Sequence, residues 1–362
     1  MTSATRPEAT PVMTSATRPE VTPPTTPGAR SQAPTPLTSG PRPEGASAVA
    51  PTARPDETRA TIPDARIAVV IASKGRSAIL AQMIPYLNRQ SLLPVALVIA
   101  VTAPEDADFD LDTLLDPRID GCILIAPPGS CAQRNAALRA LPEGIDHVVC
   151  YDDDFFPSRH ALAGLADVMA CHRDVDGVTG ALIADGISGP GIAPETARRM
   201  LDDWDMAHPR APGVVPEIRR DTLGLYGCNM AFRRAAIAGI EFDERLPLYG
   251  WQEDVDFAAR LPGRRIETPA FTGVHLGTKT GREANGERLG YSQVVNMHYL
   301  WRKGNVTAGH ALALALRNMA ANHARALRPE PWIDRAGRMR GNWRGLGDIL
   351  AGRADPERIL QW

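Results

Sequence analysis

Asp152, Asp153 and Asp154 stand in a row directly after the apolar run His147–Tyr151 (HVVCY). Three adjacent carboxylates repel one another and belong in water or around a cation. In an extended segment alternate side chains share a side, which makes Asp152 and Asp154 a D-x-D pair. Two carboxylates, joined by phosphate oxygens of a ligand, form an oxygen-rich site suited to Mg2+ or Mn2+. The plain alternative is a solvated acidic loop. The apolar strand that leads straight into the triplet argues against it.

Three other groups could carry chemistry. In Gly250–Phe257 (GWQEDVDF), Glu253 and Asp254 fall where a helix is expected to begin. Acids there answer the helix dipole, and a carboxylate aimed from such a point can also act as a general base. His275, in Phe271–Gly277 (FTGVHLG), is either a structural histidine or the imidazole that completes a D-x-D metal site. Lys74, Arg76 and Arg134 are cations able to hold diphosphate oxygens, or ordinary solvated charges.

These residues need elements to position them. Ile67–Ala72 (IAVVIA) and Val95–Val101 are continuous apolar runs, as expected for strands covered on both faces. Gly121–Ala126 (GCILIA) and His147–Tyr151 read as two more strands. Between them, Ala78–Arg89 shows helical spacing at Ile79, Met83 and Leu87, with Pro85 as a possible kink. Cys131–Leu141 reads as a helix with Ala132, Ala136 and Leu138 inward. This β-α-β-α alternation points to a mostly parallel sheet with helices on both faces. In such sheets ligands bind beyond the carboxyl ends of the strands, so the polar clusters after the first, second and fourth strands share one rim. Further on, Ile187–Pro216 is rich in Pro and Gly and reads as a long loop, and Leu223–Phe232 as a strand. Trp251–Leu261 reads as a helix with Asp256 and Arg260 as an i,i+4 pair, and Val306–Leu327 as an Ala/Leu-rich helix.

Composition excludes several classes. The chain has 362 residues, with 40 Lys+Arg against 42 Asp+Glu. A near-neutral chain lacks the basic excess of a general nucleic-acid binder. No apolar run approaches the roughly 18–20 residues of a membrane span, and the opening segment shows no apolar core of a secretory signal. Of the 32 prolines, 13 precede Asp64, and no Phe, Trp or Tyr precedes Tyr86. Residues 1–63 therefore read as a disordered Pro/Thr-rich tail. Within it MTSATRPEATP (1–11) recurs as MTSATRPEVTP (13–23), too short and polar a repeat for a solenoid. Five cysteines, with no CxxC pair, argue against a disulfide framework and a zinc site and fit a reducing cytoplasm. Cys122 and Cys150 lie in apolar runs and read as small core residues. The last 35 residues, 328–362, carry seven Arg and three Trp, a composition suited to a membrane interface or to packing across the domain.

In order along the chain, VVIASKGR (69–76), PED (104–106), CAQRNAALR (131–139), VVCYDDDFFP (148–157), GCNMAFRR (227–234) and FDERLPLYGWQEDVDFAARL (242–261) resemble the family 2 glycosyltransferases. The resemblance runs from about Arg66 to about Arg302. It implies a GT-A fold, a Rossmann-like, mostly parallel α/β sheet flanked by helices, over residues 64–327. It implies a metal-dependent enzyme that moves one sugar from a nucleotide-sugar donor, a UDP-sugar, to an acceptor hydroxyl with inversion. By position, Ser73, Arg76, Thr102, Arg134, Asp152 and Asp153 would contact the donor nucleotide. Asp152, Asp154 and His275 would hold Mn2+ or Mg2+, and Asp254 would be the base. The acceptor would be a glycan or a lipid-linked molecule, with peripheral contact at the inner face of the plasma membrane. The Asp-rich turn that reads uracil in many relatives is Val101–Asp106 (VTAPED) here, and Tyr299–Arg302 (YLWR) is not the motif of the processive synthases, so single-sugar transfer is expected. Two other readings stay open: a nucleotidyltransferase acting on sugar phosphates, and a non-catalytic glycan-binding protein on the same frame.

Overall fold

Apolar runs bounded by polar turns become strands when both of their faces are covered, and four such runs build the first half of the molecule. In the computed structural model residues 65–211, 213–279 and 285–362 are described, so the segment read as a tail, 1–63, lies outside the described residues. The chain enters through β1 (Ile67–Ala72), α1 (Ser77–Asn88), β2 (Ala96–Val101), the short α2 (Leu111–Leu114) and β3 (Asp120–Ile125). It continues through α3 (Ser130–Arg139), β4 (His147–Asp152), β5 (Phe155–Pro157), α4 (Ala161–Cys171), β6 (Val175–Gly180) and β7 (Ala184–Asp185). Then come α5 (Pro194–Ala207), β8 (Arg220–Asp221), β9 (Asn229–Arg233), α6 (Glu253–Ala258), β10 (Arg264–Thr268) and β11 (Gly273–His275). Three helices close the chain: α7 (Gly286–Lys303), α8 (Ala308–Ala326) and α9 (Arg335–Leu350).

The main sheet has eight strands in the order β3-β2-β1-β4-β9-β6-β10-β8. β1 pairs in parallel with β2 and β4, β2 with β3, and β6 with β10, while β9 runs antiparallel between β4 and β6. This is the expected mixed α/β architecture, a mostly parallel sheet between helical layers. One core lies under α1 and α4, around Ile71, Val149 and Phe155; the other lies under α3 and α6, around Val70, Phe232 and Phe257. Among the described residues no helix is long and apolar enough to cross a membrane.

Several sequence expectations need correction. Ile187–Pro216 is not a loop throughout, because it contains α5. Pro194 occupies the start of that helix, where its missing N–H costs nothing, and Ala197 and Leu201 are its buried residues. The strand read over Leu223–Phe232 is only Asn229–Arg233; Gly224 and Gly227 fall in the turn before it. In α3 the buried apolar residues are Cys131, Ala137 and Leu138, whereas Ala132 and Ala136 are half-buried. Cys122 is exposed, unlike the fully buried Cys150, because β3 is an edge strand. The Asp256–Arg260 pair is present at 2.9 Å, and Pro85 lies inside α1 without ending it.

The C-terminal helices pack across the domain. A Cβ built on Gly290 of α7 would lie 2.1 Å from the Arg338 carbonyl oxygen, and one on Gly341 of α9 would lie 2.0 Å from that of Glu287. Both contacts are with backbone, so neither helix can yield locally. Gly290→Ala is therefore expected to force α7 and α9 apart and cost about 1–3 kcal/mol or more, read as a drop of several degrees in thermal midpoint. An unchanged midpoint would show that the two helices are not in this contact.

Glu330 ties α8 to α9 through Arg325 at 2.7 Å and Arg335 at 2.8 Å. The hydrogen bonds from Arg335 hold the Glu330 carboxyl down at about 2. A depressed carboxyl adds stability above its usual value near 4.5 and loses it as pH falls through about 2. Glu330→Gln should thus melt below the wild type at pH 7, with the gap closing by about pH 2. A gap that stays constant over that range would contradict the ion-pair account.

Candidate active site

A second, three-stranded sheet, β5-β11-β7, assembles one side of the rim. Asp152 ends β4, and β5 begins one residue after Asp154. In register, His275 of β11 lies opposite Phe155 of β5 and Asp185 of β7. The Leu276 N–H donates to the Asp154 carbonyl at 2.9 Å and locks this alignment. Three segments far apart in sequence are thereby tied to the tip of β4. There is no spare room in the join: a Cβ on Gly186 would meet the Leu276 carbonyl at 2.0 Å.

Asp152, Asp154 and His275 each offer a ligand atom, and these atoms lie within 4.8 Å of one another. His275 Nε2 is 3.4 Å from Asp154 Oδ1, and its Nδ1 is 2.8 Å from Asp185 Oδ1. Asp185 in turn accepts from the Tyr226 hydroxyl at 2.8 Å. This chain fixes the plane of the imidazole and aims Nε2 at the two carboxylates, the usual way a ligating histidine is oriented. Two carboxylate oxygens and one imidazole nitrogen suit a divalent cation of the Mn2+ type. Burial works against charge on His275, but its hydrogen bonds to Asp154 and Asp185 outweigh that and lift the ring to about 10. Burial likewise opposes charge on Asp154, yet His275, Arg76 and the Thr278 N–H hold its carboxyl well below the ordinary range. A cation and the ring proton compete for the same nitrogen.

Asp153 faces the other way, toward the turn after β1. Its carboxylate accepts from the Ser73 hydroxyl at 2.6 Å and from Arg76 Nη1 at 2.7 Å. Arg76 also reaches within 3.7 Å of Asp154. Burial pushes Asp153 up against the pull of Arg76. Thr102 lies at the tip of β2, where its hydroxyl donates to Asp106 at 2.6 Å. Asp106 also accepts from the Gly75 N–H at 2.6 Å and the Ala103 N–H at 3.1 Å. Asp106 therefore joins the turns after β1 and β2. Lys74 is exposed on the first of them.

Arg134 links the third side. It is buried, and its guanidinium donates to Glu253 at 2.6 Å, to Asp152 at 2.9 Å and to the Gly227 carbonyl at 3.2 Å. The Gly227 N–H donates to Asp254 Oδ2 at 2.9 Å, and the Val255 N–H donates to Asp254 Oδ1 at 2.8 Å. Asp254 therefore sits beside the tip of β4, joined to Asp152 through one glycine and one guanidinium. Desolvation raises its carboxyl above the usual range, although both N–H donors pull it down. Burial, and then the charge of Asp254, raise Glu253 as well, against Arg134.

The segment leading into α6 is held in a costly shape. Leu248 at φ 60° and Gln252 at φ 72° are non-glycine residues in the left-handed region. Ser130 donates from its N–H to the Leu248 carbonyl at 2.8 Å, and Asn296 donates to the Trp251 carbonyl at 2.8 Å. These anchors set the direction of Trp251 and of Asp254 beyond it.

All nine residues singled out for the site thus lie on one rim. Asp185, Tyr226, Asp106 and Glu253 belong to the same network. Glu253 was visible in the sequence only as the neighbour of Asp254, and Asp106 only as the end of PED. Asp185 and Tyr226 carried no signal beyond their types.

No protein-family model matches the chain, and no curated protein sequence matches it. Among solved structures it is similar to the 1–349 fragment of S. aureus TarS, with a TM-score of 0.49 and 16% identity over 81% of this chain and 82% of that one. It is also similar to the mannosyltransferase PcManGT from Pyrobaculum calidifontis, a structure in complex with GDP-Man and Mn2+, with a TM-score of 0.48 and 19% identity over 79% of this chain and 80% of that one.

Proposed function

We propose that this protein is a metal-dependent, inverting glycosyltransferase of the family 2 type, moving one sugar from a nucleotide-sugar donor to an acceptor hydroxyl. The observation that carries the reading is the pairing, on one rim, of the Asp152–Asp154–His275 cluster with a carboxylate of raised proton affinity, Asp254. A cation site supports cleavage at a diphosphate, and a separate base supports attack by a hydroxyl.

Asp152, Asp154 and His275 would hold the cation, for which the imidazole favours Mn2+ over Mg2+. Such an ion, when bound, offsets the negative charge gathering on the leaving diphosphate. Asp254 takes the proton of the acceptor hydroxyl as the new bond to the anomeric carbon forms. The bond from that carbon to the diphosphate oxygen breaks, and its electron pair leaves with the nucleotide. Attack from the side opposite the leaving group inverts the sugar carbon. Ser73, Arg76, Asp153 and Arg134 shape the nucleotide end, with Thr102 on the neighbouring turn. We take a UDP-sugar as the donor and a glycan or lipid-linked molecule as the acceptor, the latter bringing the protein to the inner face of the plasma membrane.

The test is a panel of UDP-, GDP- and dTDP-sugars incubated with the full-length protein and Mn2+. Slow release of one nucleoside diphosphate is expected, and it names the donor. Pyrophosphate released from a nucleoside triphosphate and a sugar phosphate would point to a nucleotidyltransferase instead. No turnover, with glycan retained on the protein, would indicate a binding protein.

A further inference from the structure

A cavity of about 220 Å³ opens between the candidate active site and the C-terminal helices. Its polar lining comes from Ser188, Gln293, Arg325, Arg335 and Arg338, with Trp251 as the aromatic wall. Ser188 belongs to the turn after Asp185, the partner of His275, and Trp251 precedes Asp254 by three residues. The cavity wall is therefore continuous along the chain with both the cation side and the base side of the rim.

The lining is rich in donors. Among the described residues no carboxylate lines the cavity. Glu330, behind it, is a single carboxylate shared by Arg325 and Arg335, which leaves that trio one positive charge in excess. A hydrogen-bond chain also fixes the orientation of Gln293. Arg335 can only donate, and it donates to Asn322 Oδ1 at 3.0 Å. Asn322 Nδ2 must then donate onward, to Gln293 Oε1 at 2.9 Å and to Asn342 Oδ1 at 2.8 Å. With its oxygen so occupied, Gln293 presents its amide N–H groups as donors. Gln293, Arg335 and Arg338 are all more than nine-tenths buried, and Arg335 is held by Glu330 through Nε and Nη2 and by Asn322 through Nη1, so this polar wall is fixed in place.

We infer that this cavity binds an anionic group of the acceptor, a phosphate or a carboxylate, with the neighbouring sugar ring against Trp251. Guanidinium forks match both anions, and Trp251, three residues before Asp254, links the cavity to the base along the chain. The inference deepens the glycosyl-transfer reading and rests on it for the identity of the ligand as acceptor.

The first experiment is calorimetric titration of the full-length protein with inorganic phosphate, without divalent cation or donor. The wild type should bind it saturably. Arg325→Ala and Ser188→Asp should each weaken binding at least tenfold; both residues are exposed, and because Arg325 also pairs with Glu330 the thermal midpoint of each variant is measured on the same sample. The second experiment compares glucose 1-phosphate, glucuronate and glucose as acceptors with the donor found in the panel. Preference for a charged acceptor is expected, reduced at least tenfold in both variants; which anion wins separates phosphate from carboxylate. Wild type that binds no phosphate, variants that bind it equally, or glucose used as well as the charged sugars would overturn the inference. Phosphate binding without donor cleavage would instead remove the transferase reading and leave the anion site standing.

Discussion

Asp254→Asn is expected to lower sugar transfer by about 100- to 10,000-fold, the usual contribution of a general base, with nucleotide-sugar affinity little changed. The amide keeps the shape of the side chain but has no basic lone pair. Its two ends meet the Gly227 and Val255 N–H groups, both of which now donate to carboxylate oxygens, so one NH2 must face an N–H. That conflict costs local stability, and donor affinity measured on the same sample separates it from the chemical loss. Single-turnover transfer by Asp254→Asn at the wild-type rate would remove Asp254 from the role of base.

The second large effect concerns the cation. Asp154→Asn should weaken Mn2+ binding by at least about 100-fold, because a ligating carboxylate matters more than the outer partners whose loss costs 10–100-fold. Asp185→Asn should fall in that lower range: it leaves Nε2 of His275 in place but loosens the ring that Asp185 holds at 2.8 Å. A direct Mn2+ titration, read by electron paramagnetic resonance, gives both values without any turnover. Equal affinity in Asp154→Asn and wild type would mean that the cluster holds no such ion.

Much of this arrangement could be read from the residues, for a physical reason. Strands buried on both faces announce themselves as unbroken apolar runs, and β1, β2 and β4 do so. Once those strands are parallel, their carboxyl ends lie on the same edge of the sheet, which is why Ser73, Thr102 and the aspartate triplet converge. His275 needed more. Its β11 is three residues long and joins the cluster only by pairing with β5 and β7, a contact between segments separated by more than 80 residues. Asp185 was hidden for the same reason: its strand has two residues and no apolar signature. The helix α5 was masked by Pro and Gly at its flanks, although its buried Ala197 and Leu201 keep helical spacing. The edge position of β3 comes from its having one strand partner among the described residues, β2, which no local pattern encodes.

The seam of glycines between α7 and α9 bears on the order in which the working protein comes into being. The carboxylates at the tip of β4 and the residue opposite them are synthesised early, and the strands around them can form as the chain emerges. Arg335 and Arg338, which wall the anion cavity, arrive with the last helix, seated against Gly290. On the reading proposed above, a chain made only as far as α7 would carry the donor-side groups at the tip of β4 without the two arginines that wall the cavity.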